Sequence, residues 1–105
     1  MLDLTIYKSR YYEVKISESE TINLEPPKRK QLKSILSLTK NMNKEELSDE
    51  DIDKIYEAAE IAFNKNKEGK TFKADEIDEL IPLNALYDFF EGYYGWVAEN
   101  INQKN

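Results

Sequence analysis

The sequence predicts an α+β protein in one domain: an antiparallel β-hairpin unit of two or three strands over residues 1–25, then a four-helix part over residues 27–105. Three observations predict it. As far as Leu24, apolar residues alternate with polar ones, the period of a half-buried strand. Glu25, Pro26 and Pro27 then interrupt, and neither proline can donate to a strand ladder. Beyond them apolar residues recur every three or four positions, the period of an amphipathic helix. A chain of 105 residues has room for one core and buries only roughly two thirds of its unfolded surface, so its stability margin is modest.

In chain order, Leu2, Leu4 and Ile6 alternate with polar residues, as do Tyr12, Val14 and Ile16, and the two runs are expected to pair through a turn at Lys8, Ser9 and Arg10. After a polar turn at Ser17 to Glu20, Thr21 to Leu24 reads as a third strand with Ile22 and Leu24 inward. The first helix is expected over 27–39, with Leu32, Ile35, Leu36 and Thr39 on its inner face, followed by a polar linker at 41–47. Ser48 and Asp51 form a capping-box start for a second helix over 49–67, and Asp49 and Glu50 suit the positive end of its dipole. Ile52, Ile55, Tyr56, Ala59, Ala62, Phe63 and Asn66 supply its inner face, and Gly69 is a natural stop. Phe72 and Ile77 are placed as a hydrophobic staple around a short helix over 74–80. Glu76 takes its capping-box position and Lys73 is a poor cap.

The last helix, expected over 82–101 with Pro82 at its first position, carries six of the twelve aromatic residues between Tyr87 and Trp96. Leu83, Leu86, Phe90, Tyr93 and Val97 make a core stripe. Tyr87, Phe89, Tyr94 and Trp96 lie outside it, and a small domain has little room to bury them all, so they are expected to form a partner-binding face, at least two of them largely exposed in the isolated protein. Gly92 and Gly95 each cost the helix about 1 kcal/mol relative to alanine. That cost is most easily tolerated where another element approaches the backbone closely.

Lys28, Arg29, Lys30 and Lys33 crowd the first turn of the first helix, where the dipole favours acids. They are either a solvated face or a self-association patch that docks on the acidic half of another copy. Net charge is −6 but divided: residues 1–44 hold nine Lys/Arg against five acids, and residues 45–105 six against sixteen. This argues against nucleic acid as the ligand and for complementary protein surfaces.

Cys and His are both absent, which excludes disulfides, thiolate chemistry, the usual zinc sites and imidazole catalysis. Asp49, Asp51, Asp53 and Glu60 match four positions of a calcium loop, but Lys54 stands where the sharp turn needs Gly. Gly69, Lys70 and Thr71 look like the end of a phosphate-binding loop, but Asn64 stands where its upstream Gly belongs. No metal, no cofactor and no enzymatic activity is expected. No apolar run reaches the roughly 20 residues of a membrane span, and the first ten residues lack a secretory h-region, so a cytoplasmic location is expected.

The order of parts resembles a known family. A basic strand unit closing in NLEPPKRKQLKSIL, an acid-capped helix DIDKIYEAAEIAFNKN, a short FKADEIDELI helix and an aromatic-rich final helix are similar to the tail assembly chaperones of long-tailed phages and prophages of Gram-positive bacteria. The resemblance implies a non-enzymatic role in many copies. Such a chaperone binds the tape-measure protein, keeps it soluble in the host cytoplasm, recruits tail-tube subunits and is absent from the finished virion. Members of this kind are often also made as a longer frameshifted product, and Gln103, Lys104 and Asn105 can be encoded by a slippery heptamer. Two alternatives remain open: a small acidic regulatory or inhibitory binding module, in which the acids form an exposed stripe, and a minor structural virion protein such as a connector or tail-completion protein.

Overall fold

The computed structural model describes residues 11–102. Within them the chain forms strands β1 (Tyr12–Ser17) and β2 (Glu20–Leu24), then helices α1 (Arg29–Leu38), α2 (Asp49–Asn64), α3 (Ala74–Leu80) and α4 (Leu83–Asn102). The expected order, a hairpin followed by four helices, is the order found. The run Leu2 to Ile6, its turn at Lys8 to Arg10 and the tail Gln103 to Asn105 lie outside the described residues.

β1 and β2 are antiparallel, with Tyr12 opposite Leu24 and Val14 opposite Ile22, and the register shifts between Lys15 and Ser17 as the hairpin turns. Ile16, Ile22 and Leu24 are buried on the face that meets the helices. The free edge of β2 is met by the chain leaving α2. Glu25 N–H donates to the Lys65 carbonyl at 2.8 Å, Lys67 N–H donates to that of Asn23 at 2.9 Å, and Leu24 and Asn66 form an isolated bridge. The Glu68 carboxylate completes the edge, accepting from the Asn23 N–H at 2.9 Å and its side-chain amide at 2.8 Å.

α2 is the central helix, with α1 and α3 packed on it. Ala58, Ala59 and Ala62 are buried, and their small size lets its neighbours come close, while Ile55 and Phe63 fill the core. The Ser48 hydroxyl accepts from Asp51 N–H at 3.1 Å and the Asp51 carboxylate accepts from Ser48 N–H at 3.2 Å, so the expected capping box is formed. Asp49, Asp51, Asp53 and Glu60 all stand on this helix and form no calcium loop.

Three expectations need correcting. α2 stops at Asn64, not near 67, because two asparagines capture the backbone beyond it. Asn64 exchanges bonds with Phe72, its amide donating to the carbonyl at 3.0 Å and its oxygen accepting from the N–H at 2.6 Å. Asn66, buried, donates to the carbonyls of Phe63 and Lys70 and accepts from Lys70 N–H. Gly69 takes φ +72° at the turn that results, a conformation a side chain would strain. The second correction concerns Leu36, which is 49% exposed; Leu32, Ile35 and Thr39 alone face inward. The third is that α4 begins at Leu83, and the Pro82 carbonyl accepts from Leu86 N–H at 3.3 Å, so the proline precedes the first helical residue. The poor cap at Lys73 is also explained: Glu60 of α2 accepts from Ala74 N–H at 2.8 Å and caps α3 from outside. No helix among the described residues is long and apolar enough to cross a membrane.

Candidate functional site

Along α4 the core stripe is as expected. Leu86, Phe90, Tyr93 and Val97 are buried and Leu83 is half-buried. The four residues expected to face a partner are not exposed. Tyr87, Phe89, Tyr94 and Trp96 are each half-buried and packed against the core. Nor do they share a face. Residues two apart on a helix point about 200° apart, so Tyr87 and Phe89 fall on opposite shoulders of the core stripe, as do Tyr94 and Trp96.

The chain covers each shoulder in a different way. On one, the Tyr87 hydroxyl donates to the Met42 carbonyl and the Tyr94 hydroxyl is hydrogen-bonded to the Thr39 hydroxyl, so the segment after α1 is pinned against the helix. Thr39 itself donates to the Ile35 carbonyl at 2.9 Å. On the other shoulder the partners are rings. Tyr12 of β1 stacks on Trp96 with centroids 5.4 Å apart and meets Phe89 at 6.2 Å, while Phe63 of α2 stands edge-on to Phe89 at 5.0 Å.

Tyr12 also lies against the bare backbone of Gly92, where a Cβ would overlap its hydroxyl. The close approach expected for this glycine is therefore present. At Gly95 it is not: among the described residues, nothing lies within 4 Å of where a Cβ would be. The sequence signal for the two shoulders was the two-residue offset between the heptad pairs Tyr87/Tyr94 and Phe89/Trp96; the covering residues Tyr12, Thr39 and Met42 carried none.

Between the shoulders, the Tyr93 hydroxyl is buried with no hydrogen-bond partner among the described residues. Burial raises its pKa well above the usual tyrosine value, and the neighbouring Tyr94 adds to the shift. The Tyr94 value is also raised by burial, against the opposing effect of its bond to Thr39. Both phenols are therefore neutral at neutral pH.

The basic residues are where the sequence placed them, in solvent. Lys28, Arg29, Lys30 and Lys33 are all exposed, and none forms an ion pair with another described residue. The helix start is instead satisfied by Gln31, whose side-chain oxygen accepts from Lys28 N–H at 2.8 Å.

An open depression of about 450 Å³ lies at the start of α2, lined by Asn41, Lys44, Ser48, Asp51 and Lys54 among others. Most of its polar groups are already paired. The Asp51 carboxylate takes the Ser48 N–H, the Asn41 amide at 3.2 Å and the Lys44 ammonium at 3.7 Å, while Lys54 pairs with Glu50 at 3.2 Å. The backbone bond from Ser48 is the main reason that the Asp51 pKa is lowered. The depression is a helix cap with its ligands in place. No family model, curated protein or solved structure matches the chain.

Proposed function

We propose that the chain is a non-catalytic protein-binding subunit and, on the resemblance stated above, a phage tail assembly chaperone that holds the tape-measure protein in solution and recruits tail-tube subunits. The observation that carries this reading is the order of parts, on which the resemblance rests: a strand unit, a basic helix, an acid-capped helix, a short acidic helix and an aromatic final helix. A tape-measure protein is largely helical with apolar faces, and aromatic edges at successive turns can hold such a helix. Tyr87 and Tyr94, one heptad apart on a single shoulder of α4, are the client contacts in this reading. Their burial against Met42 and Thr39 replaces the open four-residue face with a narrower strip.

The test is co-expression with tape-measure fragments, scored by fragment solubility and by co-purification. A soluble complex that a Tyr87→Ala/Tyr94→Ala variant loses while still folded supports the reading. Fragments that stay insoluble and do not co-purify with the folded wild-type chain refute it.

A second reading has its own observation. Every carboxylate of α3 is exposed, as are Asp88, Glu91 and Glu99 on the outer side of α4, and a small acidic inhibitory module would present its acids in this way. Such a module binds a basic partner with affinity that falls steeply with salt. Binding to an apolar tape-measure helix would depend on salt far less.

A further inference from the structure

Two large apolar side chains are exposed among the described residues, Leu36 at 49% and Leu80 at 51%. Each stands in charge of one sign. Residues 26–44 contain six Lys/Arg and no acid; residues 74–102 contain seven acids and no Lys/Arg. On the outer side of α1 and the turn after it, Arg29, Lys33, Leu36 and Lys40 are spaced four, three and four apart, so they form one exposed stripe. None of its three cations has an ion-pair partner among the described residues. On α3, Asp75 lies four residues before Glu79 and Glu76 four before Leu80. All four are exposed, with Ile77 buried on the inner side. Like charges at this spacing repel, and a surface of opposite sign relieves the repulsion on both stripes.

The two stripes cannot meet within one molecule. Asn41, just past α1, reaches Asp51 of α2, whereas α3 is held by Glu60 at its start and by the Tyr56 hydroxyl, which donates to the Ile81 carbonyl at 2.9 Å. Asp51 and Glu60 are nine residues apart, about two and a half turns, so they face opposite ways. α1 and α3 therefore flank α2 on opposite sides.

We propose that the α1 stripe of one copy docks on the α3 stripe of the next, with Leu36 packed against Leu80 and Arg29, Lys33 and Lys40 facing Asp75, Glu76 and Glu79. The contact is head to tail. Each copy keeps one stripe of each sign free, so the contact propagates as an open array unless its rotation happens to close a ring. The interface involves this chain alone and does not depend on any client, so it stands or falls separately from the chaperone reading.

Sedimentation of the purified chain tests it. Self-association is expected, weakening about tenfold or more as salt rises over roughly a decade, because exposed charges are screened within about 10 Å at 0.1 M. Arg29→Glu/Lys33→Glu and Glu76→Lys/Glu79→Lys are each expected to be monomeric and folded by circular dichroism. Mixed in equal amounts they are expected to associate again, since each supplies the sign that the other has lost. Leu36→Ser leaves the charges intact and is expected to weaken association at both salt concentrations. A wild-type chain that stays monomeric at high concentration, association untouched by both reversals, or folded reversal variants that do not associate when mixed would overturn the interface.

Discussion

The two shoulders of α4 bury aromatic rings by different means. Tyr87 and Tyr94 end on hydrogen bonds to the segment after α1, whereas Phe89 and Trp96 end on other rings, those of Tyr12 and Phe63. The difference follows from the tips of the side chains. A phenol carries a hydroxyl that needs a partner once it leaves water, and a loop with free backbone carbonyls supplies one. Phe89 has no polar atom and gains only from contact area and ring geometry. One shoulder is thus directional and the other dispersive, and substitutions separate them.

The largest effect is expected on the dispersive side. Phe89→Ala removes a ring that touches Tyr12, Phe63, Phe90 and Tyr93, and should cost about 3 kcal/mol in denaturant unfolding, as lost contact and a residual cavity add together. An effect below about 1 kcal/mol would mean that the shoulder closes over the gap and is not tightly packed.

The two glycines come next, and they should move in opposite directions. Gly92→Ala places a methyl group on the Tyr12 hydroxyl and should cost about 2 kcal/mol by overpacking. Gly95→Ala meets nothing among the described residues and should stabilise by about 1 kcal/mol through helix propensity alone. Adding Tyr12→Phe to Gly92→Ala should recover part of the loss. Thermal unfolding of the three variants checks the set.

On the directional side the effects are smaller. Tyr94→Phe loses the bond to Thr39 and should cost about 1 kcal/mol. Tyr93→Phe removes a buried hydroxyl that has no partner, and its unfolding free energy should stay level or rise by up to about 1 kcal/mol. If Tyr93→Phe proved the more damaging of the two, the Tyr93 hydroxyl would be hydrogen-bonded in solution and not an unpaired buried group.

The pH dependence comes from the start of α2. The Asp51 pKa is lowered in the folded chain, chiefly by the backbone bond from Ser48. Its contribution is therefore fully present above the unfolded value of about 4 and is lost as pH falls through the lower folded value. Wild type should lose more stability than Asp51→Asn between pH 6 and pH 2, as read from urea midpoints.

Much of the fold was legible because its causes are local. Pro26 and Pro27 end the strands, Ser48 and Asp51 start α2, and Leu86, Phe90, Tyr93 and Val97 lie on one stripe at helical spacing whatever packs against them. Where the reading failed, the cause was distant in sequence. The end of α2 depends on Asn64 and Asn66 reaching Phe72 and Lys70, and the start of α3 depends on Glu60. Leu36 has the spacing of a core residue and lies in solvent because none of the described elements covers that side of α1.

By itself the sequence determined element order, the start of α2, the core stripe of α4 and the separation of charge into a basic front and an acidic back, because each follows from neighbours within a turn or two. Tertiary structure alone decided that Tyr87, Phe89, Tyr94 and Trp96 are covered. That outcome requires Tyr12, Phe63, Thr39 and Met42 to arrive from 26 to 84 residues earlier in the chain. No periodicity within α4 records which side chains will meet it.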